Sequence, residues 1–272
     1  MTITRGLVTT SAGQIHYRDT QPRDTQADQP PILVMHINQR SSAMYTELAE
    51  VLAPARRVIA MDHPSFGMSD HVVGEPRIAD YGRWAFEVAD QLGIERVTLL
   101  GEAVSAIIAA DMAVAAPDRV DRVVMVNCPL WFDQATRSTD MGDIRPQRPA
   151  DPTGWPLTRT VEWVLAHDAI HAPLEPTQEW MDRMNRAQME AGRDRWQLVN
   201  AMDAYDLAPT LEVISRPVQL VWGEHFVYAA NRDGFHSRLS DYREDVIPGG
   251  RFDMCFEKPA EVGAAVLDFL GP

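Results

Sequence analysis

The stretch VTLLGEAVSAIIAADMAVAA, residues 97–116, decides how this chain folds. Val97, Thr98, Leu99 and Leu100 form a short apolar run with no polar alternation, the mark of a strand buried on both faces. After the corner Gly101-Glu102-Ala103, residues 104–116 are apolar at helical spacing and stop before Pro117, where the preceding residue is driven out of helical backbone. A buried strand delivered through a tight corner into a buried helix is one half of a βαβ unit.

The same alternation extends outward in both directions. Residues 31–36 (PILVMH), 57–61 (RVIAM), 123–127 (VVMVN), 218–222 (VQLVW) and 245–247 (DVI) read as further strands. Residues 43–52, 78–92 and 259–270 read as helices, the last with an apolar stripe of Ala260, Val262, Ala264, Val266, Phe269 and Leu270. This order predicts an α/β fold, a mostly parallel sheet flanked by helices on both faces. Residues 6–10 and 14–17 alternate instead, which predicts an antiparallel hairpin at the sheet edge, and 19–31 is a polar loop. Residues 130–206 break the alternation. They hold five of the seven tryptophans (Trp131, Trp155, Trp163, Trp180, Trp196) and helical runs near 157–167 and 176–190. They are read as a helical lid inserted over the sheet's carboxyl edge, leaving 1–129 and 207–272 as the core.

The length of 272 residues suits one large domain with an insertion, and 45% hydrophobic with 24% charged residues excludes a disordered or fibrous chain. Twenty-five basic against 39 acidic residues leave a net charge of −14, which opposes binding to nucleic acid or to an anionic membrane surface. The N-terminal residues lack the basic and apolar segments of a secretory signal, and no apolar run reaches the ~20 residues of a membrane span. Cys128 and Cys255 are too few for a disulfide framework and have no metal-ligand spacing, so a cytoplasmic protein is expected.

Several local patterns in order resemble the α/β-hydrolase superfamily. His36 resembles the start of the His-Gly turn, and Met61-Asp62-His63-Pro64-Ser65-Phe66-Gly67-Met68-Ser69-Asp70 the Asp-x-Pro-Gly-x-Gly-x-Ser loop. Leu99-Leu100-Gly101-Glu102-Ala103-Val104-Ser105 resembles the nucleophile elbow, with Ala116-Pro117-Asp118-Arg119-Val120 ending its helix. Tyr205-Asp206-Leu207, Val221-Trp222-Gly223-Glu224, and Ile247-Pro248-Gly249-Gly250 through Glu257-Lys258-Pro259 complete the series. The resemblance implies an eight-stranded-type sheet with a lid.

Carried onto this sequence, the family's serine falls on Ala103, its histidine on Phe252 and its acid on Phe226. A methyl group cannot attack a carbonyl, and neither ring can take a proton or orient a base. The alternative acid position after the preceding strand reads Asn127-Cys128-Pro129 and supplies no carboxylate. The oxyanion amides would belong to Asn38 and Val104. Backbone donors survive side-chain change, although Ile37 replaces the glycine of the His-Gly pair.

The polar groups left at the carboxyl edge are His36, Asn38, Glu102, Cys128, His225, Arg251 and Asp253. Asn38, Glu102, Arg251 and Asp253 are the candidate catalytic groups. Each has a bland alternative: Asn38 as a turn former, Glu102 as a buried or paired carboxylate, and Arg251 and Asp253 as partners of each other or of the lid. His36 reads as a loop-supporting residue and Cys128 as a small core residue. With Ile37, Ala103, Trp131, Phe226, Phe252, His36, Cys128 and His225 around it, the expected pocket is dry and aromatic, suited to a small, hydrophobic, ring-bearing molecule. No phosphate-cradling glycine motif is present, so neither a nucleotide nor a flavin cofactor is expected, nor any metal.

Three functions fit this reading. The first is a cofactor-free enzyme performing a lyase, isomerase or cyclisation step by orienting its substrate and offering donors to developing negative charge. The superfamily's hydroxynitrile lyases and cofactor-independent dioxygenases usually keep a histidine base, so their mechanisms do not transfer. The second is an ester or C–C bond hydrolase, with Ala103 an engineered replacement of serine or with relocated catalytic residues. The third is a non-catalytic protein that binds a hydrophobic ligand. The sequence leaves the oligomeric state open.

Overall fold

The computed structural model describes residues 2–21, 29–130, 177–226 and 228–271. Its strands are β1 (Thr4–Thr10), β2 (Gly13–Asp19), β3 (Ile32–Met35), β4 (Val58–Met61), β5 (Val97–Glu102), β6 (Val120–Val126), β7 (Val218–Gly223) and β8 (Tyr242–Ile247). They form one sheet in the order β1-β2-β4-β3-β5-β6-β7-β8. From β4 to β8 every neighbouring pair is parallel, while β2 pairs antiparallel with both β4 and β1. The hairpin and the parallel sheet expected from the sequence are both present.

The pleat explains why the central strands read as unbroken apolar runs. Leu33, Met35, Ile59, Met61, Leu99, Val123 and Met125 enter one core. Their neighbours Ile32, Val34, Val58, Ala60, Leu100, Val124 and Val126 enter a second on the opposite face. Successive side chains point to opposite faces, so a strand covered on both sides must be apolar at every position. Helices α1 (Thr46–Leu52), α2 (Ile78–Gln91) and α3 (Val104–Ala115) follow the first strands. Between β6 and β7 lie α4 (Gln178–Ala191), α5 (Gln197–Asp203) and α6 (Ala208–Val213). Then come α7 (Asp233–His236), α8 (Met254–Glu257) and α9 (Pro259–Leu270). Helices α2 and α3 close the first core, and α1 and α9 close the second.

Three boundaries differ from the sequence reading. The expected helix over 43–52 begins with a tight 3₁₀ turn, Ser42–Tyr45, before α1. Strand β6 starts three residues early at Val120, and β8 starts at Tyr242 because an edge strand tolerates charged residues that pair with one another, as Arg243 does with Asp245 at 2.9 Å. The lid run near 176–190 is α4. The run near 157–167, together with Trp131, Trp155 and Trp163, lies outside the described residues. No described helix is long and apolar enough to cross a membrane.

Candidate functional site

The corner between β5 and α3 places Ala103 at φ 52°, ψ −116°, a backbone region that costs a residue with a Cβ roughly 1–3 kcal/mol. It is held from both sides. The Ala103 amide donates to the Val126 carbonyl at 2.8 Å, and its own carbonyl accepts from the Ala106 amide at 3.0 Å. Gly101 makes the tight corner possible, because a Cβ there would stand 2.1 Å from the Ser105 carbonyl oxygen. The corner that resembles a nucleophile elbow is therefore held in a strained turn, and it presents a methyl group.

The loop after β3 is locked beneath it. Nε2 of His36 accepts from the His63 amide at 3.0 Å, so its Nδ1 carries the proton and donates to the Ile37 carbonyl at 2.8 Å. Burial holds the His36 pKa below the usual histidine range. The Ser105 hydroxyl donates its only proton to the His36 carbonyl at 2.6 Å, leaving its oxygen to accept from His63 Nε2 at 2.8 Å. His63 is likewise pushed down by burial, with the nearby His36 adding to the effect. His36 thus supports the loop, as its bland reading expects, while the His63–Ser105 pair escaped the sequence reading because its members are 42 residues apart.

Asn38 and Gln39 form the turn that follows, with Gln39 at φ 58°. The Asn38 side-chain oxygen, and both polar atoms of the fully enclosed Gln39, have no hydrogen-bond partner among the described residues. The Ile37 amide is already taken by the Tyr45 hydroxyl at 3.0 Å. Gln39 was not singled out from sequence, where a polar residue in a loop gives no sign of burial.

Glu102 is enclosed and already partnered. It is 1% exposed, accepts a hydrogen bond from the Tyr45 hydroxyl at 2.7 Å and lies against Cys255. Burial, reinforced by the charge of Asp253, pushes its pKa up to about 7. Asp253 is likewise engaged elsewhere. Its two oxygens accept from Nε and Nη2 of Arg40 at 2.9 and 2.8 Å, and one also accepts from the Trp180 indole of α4 at 3.0 Å. Asp253 therefore pairs with the loop after β3 and with the inserted region, whereas Arg251 pairs with Glu257 at 3.2 Å rather than with Asp253. Arg40 was overlooked because its partner is 213 residues away.

The remaining expected residues gather at the ends of β6, β7 and β8. Phe226 and Phe252 meet edge to face with ring centroids 5.1 Å apart, and Phe226 also lies over Trp222 at 6.2 Å. Asn127, at φ 47°, fastens this end: its side chain accepts from the Gly223 amide and donates to the Arg251 carbonyl, both at 2.8 Å. Cys128 is buried and its thiol is pushed well up by burial, which removes thiolate reactivity. His225 is half-buried, with Nε2 3.8 Å from Glu224. Trp131 lies outside the described residues. No group of three or more potential metal ligands occurs among the described residues.

The sequence pattern of the alpha/beta hydrolase fold family matches residues 30–259. Haloalkane dehalogenase 2 of Mycobacterium tuberculosis is 33% identical over 122 residues, which are 44% of this chain and 41% of that protein. The chain thus matches about two fifths of that relative's length. A hydrolase from Pseudomonas aeruginosa superposes with a TM-score of 0.78 at 22% identity, covering 98% of both chains. An epoxide hydrolase from an endophytic Streptomyces gives a TM-score of 0.78 at 18% identity over 98% of this chain and 95% of that one. At these identities the superpositions speak for the fold alone.

Proposed function

The chain belongs to the α/β-hydrolase fold family, and from that premise we propose that it is a cofactor-free enzyme carrying out a lyase, isomerase or cyclisation step on a small, hydrophobic, ring-bearing substrate. The observation that carries this reading is the elbow. Its strained turn persists around Ala103, and Phe252 and Phe226, onto which the sequence resemblance carries the family's histidine and acid, meet edge to face. Without nucleophile or base, the means left are enclosure and fixed dipoles. An apolar wall of Phe226 and Phe252 folds the substrate into a reactive conformation, and the Asn38 and Val104 amides stabilise negative charge as it develops. The side chains of Asn38 and Gln39 add donors at the same turn, and Arg251, paired with Glu257, stands at the opposite loop.

A second reading is hydrolysis of an ester or a C–C bond; the name of the relative haloalkane dehalogenase 2 favours hydrolytic chemistry only in general. The described Ser–His contact, Ser105 with His63, lends it little support, because the hydroxyl is buried and its proton is committed to the His36 carbonyl. The two readings separate when apolar enol lactones, epoxides, aryl esters and hydroxynitriles are incubated with the protein in H₂¹⁸O. The expected result is a product free of ¹⁸O. Label beyond that taken up by the same carbonyl product in a protein-free H₂¹⁸O control means hydrolysis and overturns the proposal. Saturable binding of a ligand recovered unchanged makes the protein a carrier and overturns it equally.

A further inference from the structure

One carboxylate ties three separate pieces of this fold together. Asp253, in the loop that carries Phe252, accepts from Nε and Nη2 of Arg40, two residues beyond Asn38, and from the Trp180 indole of α4. Trp180 stands in the first turn of that helix. Its amide donates to the Thr177 hydroxyl at 3.1 Å, and the Met181 amide donates to the Thr177 carbonyl at 3.1 Å. One turn later Arg183 anchors the helix separately, through Glu47, the Ala43 carbonyl at 2.7 Å and the ring of Phe256. The indole bond is thus the polar tie of the first turn, and the next turn is held without it.

Glu102 is placed to disturb that tie. Its buried carboxyl meets the Tyr45 hydroxyl from the turn before α1 and Cys255 from α8, and the charge of Asp253 acts on it. Arg40 faces this cluster as the guanidinium bound to Asp253, with His36 nearby held below the usual histidine range by burial. Glu257, on which the Asp253 charge also acts, pairs with Arg251. With Glu102 protonated, one carboxylate faces one guanidinium. Burial and Asp253 raise its proton loss to about pH 7, and two enclosed carboxylates then share that guanidinium. Glu102 is fixed in β5, whereas Asp253 sits in a loop at φ 55°. Arg40 grips Asp253 by two charge-assisted bonds and Trp180 by one bond from a neutral donor, so the indole contact is the weakest and yields first.

We propose that Glu102 is the release for the first turn of α4: when its carboxyl loses its proton, the Asp253–Trp180 bond opens and residues 177–181 loosen from the core. Proton uptake closes the bond again. Asp253 directly follows Phe252, and Arg40 directly follows the Asn38-Gln39 turn, so the switch reaches both sides of the candidate site. It belongs to the scaffold and does not depend on which reaction the site performs.

The test is ¹H–¹⁵N magnetic resonance of the full chain between about pH 5.5 and 8.5, with the Trp180 indole signal identified as the one missing from Trp180→Phe. That signal is expected to shift with a midpoint at about 7, while the order parameters of the 178–181 amides fall from about 0.85 to below about 0.6. In Glu102→Gln both should stay at their acid-side values throughout. Tyr45→Phe removes a donor from the ionised carboxyl and should raise the midpoint by about one pH unit, a check that leaves Glu102 in place. A parent signal that does not titrate overturns the proposal, as do rigid 178–181 amides at pH 8.5. So does a titration that persists in Glu102→Gln, which would assign it to another group, such as His71 where it meets Asp194 beyond the far end of α4.

Discussion

Replacing Asp253 by Asn removes one charge from an ion pair sealed from water. The Arg40 and Asp253 side chains are 4% and 1% exposed, and two parallel bonds of 2.9 and 2.8 Å join them. Asn tolerates the left-handed backbone that Asp253 adopts at φ 55°, so the perturbation is electrostatic and not conformational. The stranded guanidinium would retain only neutral acceptors, the Asn amide oxygen and the Gln39 carbonyl at 3.3 Å. Leaving one partner of a buried pair uncompensated costs about 3–5 kcal/mol. The Trp180 indole also loses a charge-assisted acceptor, adding about 1 kcal/mol. With a urea m-value of about 3 kcal/mol/M, the unfolding midpoint falls by roughly 1–2 M. Urea titrations followed by tryptophan fluorescence, run on the parent, Asp253→Asn, Arg40→Met and the double variant, measure the whole cycle. The double variant leaves no enclosed charge at this pair and should recover at least about 2 kcal/mol relative to the sum of the singles. A midpoint shift under about 0.3 M for Asp253→Asn, or strict additivity, would refute the argument.

Two other substitutions probe the scaffold beneath the elbow. Glu102 titrates at about 7 in the folded chain against an ordinary 4.5, so the folded state holds its proton where the unfolded state does not. The resulting stabilisation is complete below pH 4.5 and is lost as pH rises through 7, a total of about 3 kcal/mol. His36 and His63, both lowered, act in the opposite sense below pH 6.5, so the difference between the parent and Glu102→Gln is the informative curve. It should change by about 3 kcal/mol between pH 4.5 and 8, and a flat difference rejects the assignment. Ser105→Ala strands the His36 carbonyl and His63 Nε2, costing about 2–4 kcal/mol in denaturant titration. It should leave turnover per folded molecule unchanged; loss of turnover with stability intact would make Ser105 a nucleophile.

What the sequence disclosed and what it withheld divide along a physical line. Runs such as residues 31–36 and 97–100 were legible because burial on both faces demands apolar residues at every position, and the corner Gly101-Glu102-Ala103 was legible because its chemistry is local. The partners of buried charges were not. Arg40 meets Asp253, and His63 meets Ser105, across distances that only the sheet order closes, and nothing in the residue types selects those pairs over others. Glu102 and Asp253 looked available for chemistry because a carboxylate at the elbow or in the last loop of the sheet's carboxyl edge is suggestive. The structure engages both in hydrogen bonds, Glu102 with Tyr45 and Asp253 with Arg40 and Trp180. Gln39 shows the converse: an unremarkable loop residue whose enclosed, unpaired amide draws notice only once burial is known.

The proposed function rests on the claim that Ala103 leaves the elbow without a covalent nucleophile. Intact-mass analysis after incubation with a fluorophosphonate, on the parent and on Ala103→Ser, tests it directly. The account predicts an unchanged mass for the parent and an adduct mapping to position 103 in the variant alone, made by the preserved turn and its two amides. An adduct mapped to any residue of the parent would contradict it.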